Sequence, residues 1–211
     1  MKAFVCMPEL RLKKANLDRE IYVVAFASDL RGRSNHRPTA DGANNVTLSG
    51  FTPEVAAAMQ FFVIAASNIF HHIDKDQPVQ LGGDGIVLYP PADPRGMLAL
   101  HVSVVESDAG ARNQGKLLER LFKDKEVSKA IGAIADLTGA AAAIPTGVLS
   151  AAMGAITTVL PKILKANKDD VLLDFNFSGR DMTRYQGAAE GKRHAFENKQ
   201  VAGAIQVFVG K

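Results

Sequence analysis

The stretch HHIDKD, residues 71–76, sets His71, His72, Asp74 and Asp76 side by side. These are side-chain types that ligate zinc. A helical histidine pair, however, needs a spacing of four, and adjacent histidines on a strand point to opposite faces. His36, His101 and His194 lie far away in the chain, so the plainer reading of this stretch is one without metal. Carboxylates collect elsewhere. Glu106 and Asp108 follow one β-like run, Asp169 and Asp170 precede another, and Asp29 ends a third. Acidic residues there serve as turn formers and caps, and Asp108, just ahead of a helical pattern, suits a cap. LGGDG, residues 81–85, has no Gly-Lys-Ser/Thr after it and leads into a strand pattern, so a positive-φ turn is expected and not a phosphate loop. There is no Gly-x-Ser-x-Gly elbow, and the single cysteine, Cys6, reads as a small hydrophobe. No catalytic constellation emerges, and the chain is expected not to be an enzyme.

The elements that would position these residues fall into three regions. Residues 1–105 read as mainly β. EIYVVAFASD (Glu20–Asp29) is rich in β-branched and aromatic residues and ends at a turn-forming cluster. MQFFVIAASNIFHHI (Met59–Ile73) fits a long strand or a helix, and its periodicity does not decide between them. GIVLYP (Gly85–Pro90) and GMLALHVSVVES (Gly96–Ser107) read as strands. In the second, Leu98, Leu100, Val102 and Val104 alternate with Ala99, His101, Ser103 and Val105. Across 112–165 the period changes to that of an amphipathic helix. Leu117, Leu118, Leu121, Phe122, Val127, Ile131 and Ile134 form one face, opposite Lys116, Glu119, Lys123, Lys125 and Lys129. Pro145 breaks this pattern, a second helix is expected from about Thr146, and Pro161 should kink or end it. VLLDFNFSG (Val171–Gly179) and VAGAIQVFV (Val201–Val209) return to β, with polar, loop-like sequence between them.

Composition narrows the function classes. The chain has 211 residues, 47% hydrophobic and 22% charged, as in globular domains. The pI is about 9.0, but 25 basic against 22 acidic residues give a net charge of only +3. No basic stripe interleaved with aromatics is present, so nucleic acid is not an expected partner. One cysteine allows no intrachain disulfide. Glu9 and Arg11 interrupt the N-terminal apolar run, so a cytoplasmic protein, or one exported without a cleaved signal, is expected. Asn45-Val46-Thr47 and Asn176-Phe177-Ser178 match the glycosylation sequon and read as chance matches.

VVESDAG and NKDDVLLDF carry a resemblance. With the helical segment removed, a strand ends in Glu106-Ser107-Asp108 and the next begins after Asn167-Lys168-Asp169-Asp170. This resembles C2 domains, whose acidic loops at one end of a β-sandwich hold calcium and dock on phospholipid. The pattern over about residues 85–179 looks like a bacterial group of C2-like sandwiches, without an assigned role, that carry a helical insertion at this loop. The 58-residue gap between Asp108 and the NKDD segment departs from ordinary C2 spacing. The resemblance implies a single domain: a mainly β (α+β) fold, an antiparallel β-sandwich over 1–111 and 166–211, with a helical hairpin over 112–165. It also implies calcium as the candidate cofactor. Calcium takes six to eight oxygen ligands, and Asp29, Glu106, Asp108, Asp169 and Asp170 are the candidates.

The segment from Gly132 to Leu160 carries one charge, Asp136. Folded at Pro145, its arms are roughly 15 residues or about 22 Å each, short of a hydrocarbon core of about 30 Å. The plainest reading is a hairpin packed on the sandwich through Leu149, Met153, Ile156 and Leu160. The alternatives are that this stripe meets a second subunit in a homo-oligomer, or a membrane. Lys125, Lys129, Lys162 and Lys165 flank the segment, as suits an anionic surface. Gly132 and Gly139, and Gly147 and Gly154, recur at a spacing of seven, which would let two backbones approach closely. The expected function is therefore that of a non-enzymatic binding or assembly protein contacting a membrane or partner subunits. A pore-forming or toxin-like effector and a metal-dependent hydrolase are the alternatives.

Overall fold

In the computed structural model the described residues are 2–13, 20–28, 62–67, 70, 73, 75–79, 81, 85–92, 98–107, 114–138, 145–166, 169–179 and 191–210. They form strands β1 (Lys2–Leu12), β2 (Glu20–Ser28), β3 (Val63–Ala66), β4 (Ile86–Ala92) and β5 (Leu98–Ser107). Helices α1 (Gln114–Lys123), α2 (Lys125–Thr138) and α3 (Thr146–Ala166) follow, then β6 (Asp170–Gly179), β7 (Lys192–Glu197) and β8 (Val201–Gly210). The strands make two four-stranded sheets, ordered β4-β1-β8-β7 and β3-β2-β5-β6. Every pairing is antiparallel.

The inner faces of the two sheets share one apolar cluster. Val5, Met7 and Leu10 of β1 and Val201, Ile205 and Val207 of β8 face Val23 and Ala25 of β2 and Leu100 and Val102 of β5. Strand β2 has no polar alternation because both of its faces are covered. Ile21, Val23, Ala25 and Ala27 join the cluster between the sheets, while Tyr22, Val24 and Phe26 join a second cluster on the other face. The helices cover that second face. Leu117, Leu121 and Phe122 of α1, Val127, Ile131 and Ile134 of α2, and seven residues of α3 from Leu149 to Leu164 close it.

Bulges keep the inward phase. In β1 the core residues are Ala3, Val5 and Met7, then Leu10 and Leu12. The odd-to-even change coincides with a register shift between Cys6 and Glu9 against β8, the effect of one extra residue in a strand paired on both sides. Gly85 (φ +83°) lies so close to this kink that a Cβ would fall 2.1 Å from the Met7 carbonyl oxygen, so only glycine fits. Sequence patterning misses β1 for the same reason: Glu9 and Arg11 sit where a regular strand would place core residues.

Three further expectations are corrected. The first helical pattern is two helices, not one. The Asp124 carboxylate accepts from the backbone N–H of Glu126 (2.9 Å) and of Val127 (3.4 Å), an N-cap that restarts the chain as α2. Pro161 neither ends α3 nor marks its last regular turn, because the helix continues to Ala166. A proline inside a helix costs about 3 kcal/mol, and the full burial of Leu160 and Leu164 beside it, at about 1.5–3 kcal/mol each, offsets that. Finally, β7 lies in sequence read as loop. It is an edge strand with only Phe196 buried, and its surface ion pairs Arg193–Glu9 and Lys13–Glu197 reach over to the β1 side.

Candidate functional site

The acidic residues at the β5–β6 end do not all converge. Glu106 and Asp170 are cross-strand partners. Glu106 is also paired with Ile21, a member of the cluster between the sheets, so this pair belongs to the inner face. Asp169 is one residue earlier and turns the other way, with its carboxylate accepting from the Tyr22 hydroxyl at 3.4 Å in the helix-side layer. Asp169 and Glu106 are buried, and Asp170 is exposed. Asp29 and Asp108 lie outside the described residues. Among the described residues no group of three or more His, Cys, Asp or Glu is placed to hold a metal ion. His36, His71, His72 and Asp74 also lie outside them, and Asp76 is exposed beside Lys75.

The hairpin residues separate cleanly. Leu149, Ile156 and Leu160 are fully buried and Met153 nearly so, all within the helix-side cluster. As the helices are seated, that stripe is core and presents nothing to a partner. The glycine spacing likewise serves no internal approach: a Cβ on Gly132, Gly147 or Gly154 would meet nothing within 4 Å. Gly139 lies outside the described residues. What α3 turns outward is Gly147, Ser150, Ala151, Gly154 and Thr158, followed by Lys162 and Lys165. Lys125 and Lys129 of α2 are exposed as well.

A polar constellation absent from the sequence reading lies on the helix-side face of the second sheet. His101 Nδ1 is 2.9 Å from Asn176 Oδ1, and Nε2 is 3.0 Å from Ser103 Oγ. Ser103 donates to Asp174 Oδ1 at 2.5 Å. The β5–β6 register, which sets His101 opposite Asn176 and Ser103 opposite Asp174, makes this inevitable. Ser103 gives its one proton to the carboxylate, so Nε2 must donate to Oγ. The signal in the sequence was period two: polar His101 and Ser103 in one run, Asp174 and Asn176 in the other. Their register is what could not be read.

This arrangement differs from a nucleophilic triad. In a triad the imidazole takes the serine proton, whereas here the serine proton goes to a carboxylate. His101 and Ser103 are sealed, at 1% and 0% exposure, and Ser103 is paired to Val24 on one side and Asp174 on the other. Its strand neighbours therefore have no spare N–H groups to stabilise an oxyanion. His194, the other described histidine, stands on β7 with its ring 4.8 Å from that of Phe177. Burial, and then the nearby Lys192 charge, lower its pKa from the ordinary 6.5.

Comparison with protein-family models, with curated proteins and with solved structures finds no match.

Proposed function

We propose that this chain is a non-enzymatic binding or assembly protein that works through the outward surface of its helical layer. One observation carries the reading. Gly147, Ala151, Gly154 and Thr158 recur at helical spacing on the exposed side of α3, and the two glycines have open space where a side chain would be. A glycine inside a helix costs about 1 kcal/mol relative to alanine, and packing within the chain gives no return for it. A flat surface that lets another body approach closely accounts for the choice. The sealed His101–Ser103 network supports the non-enzymatic side of the reading. The test is the Gly147→Ala/Gly154→Ala double variant. Its melting temperature should rise, while association with vesicles or with a second copy should weaken. A more stable variant that associates as the wild type does would overturn the proposal, as would a wild type that associates with neither.

The C2-like assignment is part of the same proposal, supported by two antiparallel four-stranded sheets sharing a core. It carries calcium as a candidate ligand at Glu106 and Asp170; Asp29 and Asp108, the further acidic residues proposed from the sequence, lie outside the described residues. Millimolar calcium should then raise the melting temperature by mass action, and no shift would remove the metal. A second reading, a pore-forming effector, is favoured by α3 itself. Its 21 residues contain an 18-residue window of mean hydropathy 1.5, long and apolar enough by length and composition to cross a membrane. Dye leakage from vesicles distinguishes a pore from a surface-bound protein.

A further inference from the structure

We infer that the lysine-bearing end of the helical layer docks on an anionic phospholipid bilayer; this rests on the proposal that the layer's outward surface is where the protein makes contact. The inference starts from two lysines in unfavourable places. Lys125 is the first residue of α2 and Lys129 lies one turn on, at the end of a helix where the macrodipole disfavours cations. Asp124 and Glu126 already satisfy that terminus, so helix stability does not explain the lysines. Neither has an ion-pair partner among the described residues, nor have Lys162 and Lys165. Helices α2 and α3 are joined by residues 139–145, a connection short enough to make them antiparallel neighbours. With 14 residues in α2 and 21 in α3, the start of α2 comes level with α3 about two turns before its end, so the four exposed lysines lie on the same half of the helical pair. Arg120 and Lys123 close α1 at Asp124, immediately before α2.

Three features favour a bilayer over other anionic partners. The surface leading away from the lysines along α3 is Gly147, Ser150, Ala151, Gly154 and Thr158, smooth enough to lie along headgroups and without aromatic side chains on which bases would stack. Val87, on β4, is the only large hydrophobic side chain exposed among the described residues, so no apolar anchor for a protein partner stands beside the lysines. And the lysines adjoin the helix whose composition suits a hydrocarbon environment. A cytoplasmic protein, as expected from the sequence, would meet the leaflet that carries anionic lipid.

The experiment is co-sedimentation of the full chain with phosphatidylcholine vesicles and with vesicles containing about one-third phosphatidylserine. The second partner set is the Lys125→Gln/Lys129→Gln/Lys162→Gln/Lys165→Gln variant. Wild type should bind only the anionic vesicles, more weakly as salt rises. The variant should lose about fivefold in partitioning for each lysine removed, with a melting temperature no lower than that of the wild type. Equal binding to both vesicle types, or a variant that binds as the wild type does, would overturn the inference. So would binding to duplex DNA, or to itself, with no vesicle binding. In the case of self-association the glycine variant still tests the broader proposal, so the two failures are distinct.

Discussion

The two apolar clusters of this molecule are walled differently. Between the sheets, both walls are β-structure, and among the described side chains β1, β2, β4, β5, β6, β7 and β8 contribute, each strand tied laterally to a neighbour. On the helix side, one wall is the outer face of β2 with Val105 of β5, and the other is three helices. Helices satisfy their backbone internally, so side-chain packing attaches that layer. The sheet-to-sheet cluster involves the first and last strands of the chain and holds the whole fold. On the helix side the helical wall comes from one insertion between β5 and β6, packed on residues of β2. On this difference the helical layer is expected to open independently of the sheets.

The sharpest way to break that contrast is to place a charge in each cluster. Val102→Asp between the sheets leaves an unpaired buried carboxylate, at a cost of several kcal/mol, comparable to the whole stability of a domain of about 5–15 kcal/mol. The variant is expected to be unfolded. Ile156→Asp in α3 should release the helices while the strands persist. Hydrogen exchange should then show β1, β5 and β8 still protected and α2 and α3 open. Loss of strand protection in Ile156→Asp would show that the layers are one cooperative unit.

Glycines sharpen the same comparison at smaller magnitude. Gly203 of β8 lies under the Phe196 ring, where a Cβ would be 2.6 Å from the ring and from the Glu9 carbonyl oxygen. Gly203→Ala should therefore destabilise by about 1–3 kcal/mol, read as a lower denaturant midpoint. Gly147→Ala, in open space, should stabilise by up to about 1 kcal/mol. The same sign for both would contradict the closed-versus-open distinction. Ser103→Ala leaves the Nε2 side of His101 and the Asp174 carboxylate without their shared partner. A loss of about 1–3 kcal/mol is expected, and a neutral result would mean that the network contributes no net stability.

Much of this contrast was legible in the residues. The β-branched and aromatic run of β2 announced a strand, and the change of period after residue 112 announced the helices. Leu149, Met153, Ile156 and Leu160 marked the buried stripe of α3. What escaped has physical causes. The bulge after Cys6 put Glu9 and Arg11 out of phase and hid β1. The half-exposed edge strand β7 has too few apolar residues to show a period. Asp124 reads as one more charge on a continuous amphipathic pattern unless its capping geometry is seen. The His101–Ser103–Asp174 network depends on which residues stand opposite across two strands, a register set by the whole sheet and not by either run. The adjacency of Asp169 and Asp170 was readable: neighbours in a strand face apart, which removes Asp169 from the side of Glu106.

The smallest expected effect concerns pH. Because the folded-state pKa of His194 lies below the ordinary 6.5, protonation favours the unfolded chain. Its contribution to stability is present above the unfolded value and is lost as pH falls through about 6.5 toward the folded one. His194→Gln should flatten the fall in melting temperature between about pH 7 and pH 5; an unchanged slope would assign that fall to other groups.

The central claim, that the outward surface of the helical layer is where this protein makes contact, is tested most directly by a reporter placed on it. Cys6 is buried at 2% exposure and does not compete for labelling, so an environment-sensitive fluorophore can be attached at Ser150→Cys on α3 and, separately, at Lys199→Cys beyond β7, both exposed positions. With anionic vesicles, or at raised protein concentration, the α3 label should shift to the blue and gain intensity while the label at 199 stays unchanged. A response at 199 with silence at 150 would contradict the account.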